Sequence, residues 1–480
     1  MPMPCESAAL DSAAGFQYPL SLSSDFPKVI PSFSPLPCNG QERQMLRSSR
    51  ELRAVLEAMY PFDAAGNLRP LGERCTLLAS NANFALEVQL RGLVMASAAF
   101  QGSPQIIQIS YTATDQTGSH PKKLKPIEGV RRNTRTRPAA VGARRAAQML
   151  DWIADDYDAD LIWMSLDHYT SPKFSVKAYA EPHGCGGIYE PVARALLEDA
   201  IESIGCNVSK GEFAAYVNYL TSDEFGEYAR DFFGSVDLSD PAWAMIDTGA
   251  TPAAVNLASS KWLIDGVRVG LDNTDVIIEA EFSATGSSGE EEEYAYWPGP
   301  HAPKGAPTMP EEEAQAFLKH LTTFVQKTDA DGIAYEVGSK HAAKAGEQFK
   351  IDFGRLQAAQ SALKDLMGRH IAYAGHGGTG FLWEDDLIGP VFKRNINTQH
   401  LFAGTMAQVQ WIDKYRDGIL NREKDAIGRG RKELEVKATA DSAIELIKSC
   451  QCWQRGPEFR KVLAEVAERD VVFRDSNATE

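Results

Sequence analysis

Two kinds of apolar run alternate along this chain. Short compact blocks end in polar residues, while longer stretches carry an apolar side chain at every third or fourth position. The short blocks read as buried strands and the longer ones as helices with one face against a core. Cys75 to Ala79 is the first block, closed by Ser80-Asn81-Ala82-Asn83, and Gln105 to Ile109 is the next, closed by Ser110. Leu161 to Leu166 follows and ends in Asp167-His168; then come Trp243 to Gly249, Asp275 to Phe282, and Asp331 to Gly338, which leads into Ser339-Lys340-His341. The last two blocks are Ile371 to Ala374, and Val391 with Phe392. Helical spacing fills the intervals at Phe84 to Phe100, Ala140 to Tyr157, Ala253 to Gly266 and Glu311 to Gln326. Strand, helix, strand with polar residues at the strand ends is the module of an α/β barrel, so the pattern predicts a (β/α)8 TIM barrel.

Segments that break the alternation set the domain plan. Residues 1–70 read as an N-terminal extension followed by a helix, Gln41 to Tyr60, in which Met45, Leu46, Leu52, Val55, Leu56 and Met59 recur before Pro61 stops it. The barrel is expected over 71–420, and residues 421–480 as C-terminal helices, including Ala438 to Cys450 and Pro457 to Glu468. After the third strand the alternation lapses through 171–240, where only Tyr189 to Ile204 and Lys210 to Leu220 read as helical. A connection of that length marks an inserted helical subdomain or a lid at the rim. Within it, His183-Gly184-Cys185-Gly186-Gly187 reads as a turn.

Composition narrows the classes. With 480 residues, 44% of them hydrophobic, the chain can bury a large core. No run approaches the roughly 18 apolar residues of a membrane span, and the Ser- and Pro-rich start lacks the features of a secretory signal. A cytoplasmic protein without a membrane partner is expected. Seven scattered cysteines without Cys-x-x-Cys pairs read as reduced thiols. The net charge of −16 argues against nucleic acid as a partner. One basic stretch, Lys122 to Arg137, reads as a solvated loop able to steer a phosphorylated substrate.

Candidate chemistry concentrates near the C-terminal end. Ala374-Gly375-His376-Gly377-Gly378-Thr379-Gly380 places a histidine beside a glycine-rich turn, where backbone N–H groups can approach an anion closely. In Val276-Ile277-Ile278-Glu279-Ala280-Glu281 two carboxylates share one strand face. Burying both is costly unless a cation or hydrogen bonds stabilise them, and a metal is the simplest reading.

His-Gly-Gly-Thr-Gly followed by Lys393-Arg394-Asn395-Ile396-Asn397-Thr398 resembles the last two strands of the class II, metal-dependent fructose-bisphosphate/tagatose-bisphosphate aldolase family, whose pattern is His-Gly-Gly-Ser-Gly and then Lys-x-Asn. Further matches stand in the same order: Ile106-Ile107-Gln108-Ile109-Ser110, Asp167-His168, Met245-Ile246-Asp247, Glu279-Ala280-Glu281, and Phe349-Lys350-Ile351-Asp352-Phe353-Gly354-Arg355-Leu356. The chain departs from the family in the 171–240 insertion, in two extra residues around Glu290 to Glu293, in Ala342 where the family has glycine, and in Asn397 where fructose-type members have Asp.

This resemblance implies a lyase of carbohydrate metabolism with Zn2+ held by His168, Glu281, His341 and His376, with Co2+ or another divalent metal as substitutes and a monovalent cation as a further possibility. It implies cleavage or formation of a ketose phosphate through a metal-stabilised enediolate. Asp167 handles the hydroxyl proton, Glu291 or Glu290 the proton on carbon, and Asn395 binds the enediolate. Asn83, Ser110, Gly377, Gly378, Thr379, Asn397 and Thr398 are the implied substrate and phosphate contacts. A homo-oligomer, dimer or tetramer, is the implied assembly. Two alternatives stand beside this reading: a sugar epimerase using retro-aldol chemistry at the same metal site, and a non-catalytic aldolase-like subunit.

Overall fold

The computed structural model describes residues 45–82, 86–110, 138–282, 311–335, 353–376, 393–397 and 452–477, apart from isolated positions in the first two stretches, together with parts of 436–448. Eight strands run parallel: β1 (Leu77–Ala82), β2 (Gln105–Ser110), β3 (Ile162–Thr170), β4 (Trp243–Asp247), β5 (Ile277–Glu281), β6 (Gly332–Ala334), β7 (Ala372–Gly375) and β8 (Lys393–Asn397). Each pairs with the next, and β8 returns to β1 with Leu77 opposite Lys393, so the α/β sheet curls into a closed barrel. Every residue of β1, β2, β4 and β5 is buried. Burial on both faces explains why these strands read as apolar blocks and not as alternating ones.

Helices are described in six of the connections. They are α2 (Leu86–Ala99) and α3 (Pro138–Asp156), α4 (Glu190–Ile204), α5 (Lys210–Thr221) and α6 (Asp223–Ser239) together between β3 and β4, then α7 (Ala253–Asp265), α8 (Glu311–Thr328) and α9 (Phe353–Met367). Before the barrel stands α1 (Ser49–Ala58), and α10 (Gly456–Asn477) follows it. The expected first helix is shorter than its apolar period. Ser48 and Glu51 form a reciprocal cap that starts α1 at Ser49, while Leu46 bridges to Ile162 as extended chain. Both α1 and α10 pack together at the end of the barrel where the strands begin, with Phe459 of α10 6.0 Å from Trp163.

Residues 171–240 contain one helix more than their sequence pattern gave. Ser222 caps α6 by accepting from the Phe225 N–H, and α6 buries Phe225, Tyr228, Ala229, Phe232 and Val236. It lies along α3 and β3, and α4 and α5 precede it in the chain. They sit against α7 on the outer layer. The chain leaving β3 is tied to them at the rim, since the Tyr219 hydroxyl of α5 donates to Pro172 O at 2.9 Å. His183 to Gly187 forms a turn that lies across α6: a Cβ on Gly226 would fall 1.9 Å from Gly186 O, which only glycine avoids. No helix among the described residues is long and apolar enough to cross a membrane. The basic stretch 122–137 lies outside the described residues.

Candidate active site

Asp167 and His168 are neighbours in sequence, and on a regular strand they would face opposite sides. The strand does not end before them, as the apolar pattern alone implied, but continues to Thr170 with a change of step. Leu166 pairs with Ala244 while Tyr169 pairs with Ile246, and His168 takes a positive φ of 45°. Such a bulge re-aims a side chain, and a non-glycine residue in that region holds backbone strain on the order of 1–3 kcal/mol. Both side chains thereby join polar groups from the neighbouring strands.

Asp167 is fully buried. Asn81 Nδ2 of β1 donates to its Oδ2 at 2.7 Å, and Gln108 Nε2 of β2 donates to its Oδ1 at 2.7 Å. Two neutral amides therefore fix the plane of the carboxylate without neutralising it. His168 turns toward β4, with Nδ1 3.2 Å from Asp247 Oδ2, which also accepts from Thr170 Oγ1 at 2.8 Å. Beside them stands Glu281, the last residue of β5. One ligand atom each from His168, Asp247 and Glu281 lie within 4.8 Å of one another.

The electrostatics of this cluster call for a cation. Burial disfavours a charged His168, yet Asp167, the hydrogen bond and charge of Asp247, and Glu279 outweigh it and lift the imidazole to about 9. Burial likewise opposes ionisation of Asp247, but His168, Glu281 and Thr170 hold it well below the usual carboxylate range. An imidazolium thus supplies positive charge where carboxylates crowd. One imidazole nitrogen and two carboxylates are a donor set that a divalent metal such as Zn2+ accepts, with positions left for further ligands.

One step deeper on β5, Glu279 has a different environment. Its Oε2 accepts from Lys393 Nζ at 2.5 Å and from Trp243 Nε1 at 2.7 Å, while its Oε1 meets His376 Nε2 at 2.8 Å. Lys393 Nζ also lies 4.8 Å from the centre of the Trp243 ring. Burial acts to raise the Glu279 pKa, but Lys393 and His376 bring it down to about 2. The sequence reading expected the two acids of Glu279-Ala280-Glu281 to need a cation or hydrogen bonds, and named Glu281 as the metal ligand. For Glu279 the cation is a buried lysine from β8, joined by the Trp243 and His376 hydrogen bonds. Gly332 on β6 makes room for the group, because a Cβ there would lie 2.9 Å from the Trp243 ring. His376, buried at the end of β7, reaches up to the first cluster, its ring centre 5.0 Å from that of His168.

Of the other residues singled out in the sequence, Ser110 ends β2 in register with Asp167. Asn395 and Asn397 hold positions on β8 opposite Ala79 and Asn81. Asn83, Glu290, Glu291, His341, Gly377, Gly378, Thr379 and Thr398 lie outside the described residues. Asp247, Asn81, Gln108 and Lys393 were missed as site residues. Asp247 carried a usable signal, an acid closing an apolar block just as Asp167 does, and Asn81 belongs to the same polar run, Ser80 to Asn83, that closes the first block.

The model of the family described as fructose-bisphosphate aldolase class-II matches residues 78–451. No curated protein matches the sequence. Among solved structures, the chain is similar to a Campylobacter jejuni fructose-bisphosphate aldolase at 14% identity and a TM-score of 0.47, covering 85% of this chain and 96% of that one. It is also similar to a Coccidioides immitis protein assigned as a fructose-1,6-bisphosphate aldolase, at 14% identity and a TM-score of 0.45, covering 79% and 92%.

Proposed function

The chain belongs to the class II fructose-bisphosphate aldolase family, and on that premise we propose that it is a zinc-dependent aldolase acting on a ketose phosphate of the fructose- or tagatose-bisphosphate kind. The observation that carries the metal is the convergence of His168, Asp247 and Glu281 beside buried Asp167, where β3, β4 and β5 end. His376, one ring away from His168, and His341 are proposed to complete the ligand set. The barrel is assigned as a (β/α)8 TIM barrel, with 171–240 as its insertion and 1–70 and 421–480 as flanking segments.

Bound there, the metal would supply a Lewis acid for the substrate carbonyl. The chain's own residues account for the proton traffic and the binding. Asp167 is proposed to take the proton of the substrate hydroxyl next to the breaking carbon–carbon bond, its two oxygens aligned by Asn81 and Gln108. Glu291, or Glu290, is proposed to carry the proton to and from carbon. Asn395 is proposed to bind the reacting oxygens, with Asn83, Ser110, Gly377, Gly378, Thr379, Asn397 and Thr398 contacting substrate and its phosphate.

The test is metal analysis of the purified protein, followed by chelation, Zn2+ or Co2+ replacement, and product analysis with a panel of ketose mono- and bisphosphates. Chelation should abolish cleavage, and metal should restore it. Undiminished cleavage by metal-free protein, or borohydride trapping of substrate on Lys393, would overturn the proposal, because the second result is the mark of a lysine imine.

A further inference from the structure

A histidine ligand is useful to a metal only in one tautomer, and in this chain the tautomer of His376 is set from below. Glu279 Oε2 is engaged by two donors at once, the Lys393 ammonium and the Trp243 indole N–H. Oε1 is thereby turned to His376 Nε2, at 2.8 Å, with both side chains buried. A carboxylate oxygen only accepts, so Nε2 must carry the hydrogen, and in the neutral ring Nδ1 then holds the lone pair. We propose that Glu279 is a positioning residue for His376, with Lys393 and Trp243 fixing its orientation, so that the ring offers Nδ1 to the metal at the strand ends. This inference rests on the proposed reading of His376 as a ligand. Partners of this kind, one shell behind a metal, orient the imidazole and raise its basicity.

The geometry gives a sharp consequence for Glu279→Gln. Lys393 and Trp243 both aim donors at the Oε2 position, so the amide oxygen of a glutamine must settle there. Its NH2 group then faces His376 Nε2, where two donors cannot meet. The imidazole is forced into the Nδ1–H tautomer and its lone pair turns away from the metal. A substitution that preserves size therefore inverts the ligand. Glu279→Gln with Lys393→Met makes the same inversion through Trp243 alone and removes the buried ammonium together with the carboxylate, so it keeps the charge balanced.

The experiment uses full-length protein and Co2+ as the probe. Imidazole 15N shifts of metal-free protein report the tautomer, Co2+ absorption bands report affinity, and circular dichroism reports the fold. The expected result is Nε2–H at His376 in the unsubstituted protein and Nδ1–H in Glu279→Gln and in the double variant, with Co2+ affinity lowered ~10–100-fold at unchanged fold. Nδ1–H in the unsubstituted protein overturns the proposal with no variant needed. Variants that keep both tautomer and Co2+ affinity overturn it as well. A separate control isolates the underlying reading: if His376→Ala binds Co2+ as the unsubstituted protein does, His376 is no ligand, and the inference falls for that reason.

Discussion

At the end of the barrel where the strands begin, Asp331 stands just ahead of β6 with its side chain almost fully covered. Arg53 of α1 donates to both of its oxygens at 2.9 Å, Arg369 adds a bond at 3.1 Å, Arg268 adds another, and the Ile278 N–H closes the set at 3.0 Å. At the opposite end, Asp167, Asp247 and Glu281 gather around His168 with neutral amides for support. Three cations meet one carboxylate at the first end, and three carboxylates meet one imidazole at the second. The first arrangement is complete in itself and ties α1, the turn after α7 and the approach to β7 to the barrel floor. The second is balanced only when a cation arrives. Barrels of this type keep stability on the floor and chemistry at the strand C-termini, and here the division is written in how buried charge is compensated.

The largest expected effect tests the floor. Asp331→Ala leaves three guanidinium groups facing one another without their anion, and removing one partner of a buried ionic set costs about 3–5 kcal/mol. Denaturant unfolding should show that loss. Asp247→Asn at the other end should cost less, since it takes the anion from one imidazole and not from three guanidinium groups. Equal losses for the two variants would dissolve the contrast between the ends. Next in size is Asp167→Ala, expected to lower the cleavage rate by ~10²–10⁴-fold, the span of a positioned acid–base group, while metal content stays near that of the unsubstituted protein. A variant that loses its metal as well would make Asp167 a ligand and not a base.

How far the two ends were legible in the sequence differs for a physical reason. The strand C-termini could be read because apolar blocks closed by Asp, His or Glu announce buried strands with polar tips, as at Asp167-His168 and Glu281. The floor could not, because Arg53, Arg268, Arg369 and Asp331 come from four separate elements, and no spacing links them. The cation beside Glu279 was hidden for the same reason: its partner Lys393 is 114 residues away. The bulge at His168 also escaped notice, since nothing local marks a positive φ at a histidine. Helix α6 was missed because the helical reading of the insertion was halted at Leu220, although Ser222 is a recognisable cap.

A smaller effect is expected from the metal itself. A ligand that binds only the folded protein stabilises it by about 2.7 kcal/mol when present at one hundred times its dissociation constant. Zn2+ should therefore raise the melting temperature of the metal-free protein, and Asp247→Ala or Glu281→Ala should remove most of the rise. Asp331→Ala, although much less stable, should keep the same increment. A Zn2+ response that survives loss of both Asp247 and Glu281 would place the metal elsewhere.

The smallest effect is a pH trend in the metal-free protein. His168 is raised from 6.5 to about 9, so its contribution to stability is whole below 6.5 and is lost as the pH climbs through 9. Asp247 is lowered from 3.8, so its contribution is present above that value and fails only in stronger acid. Together the pair supports the metal-free fold from about pH 3.8 to 6.5 and fades toward pH 9. Metal reverses the trend, because a ligating imidazole must give up its proton, so Zn2+ affinity rises with pH over the same interval. Melting temperatures measured from pH 6.5 to 9 should thus fall without metal and hold or rise with saturating Zn2+. In Asp247→Asn the metal-free slope should flatten, since the hydrogen-bonded carboxylate beside the imidazolium is gone. Parallel slopes with and without Zn2+ would mean that His168 does not exchange a proton for a metal, and the charge crowding at the strand ends would then need another explanation.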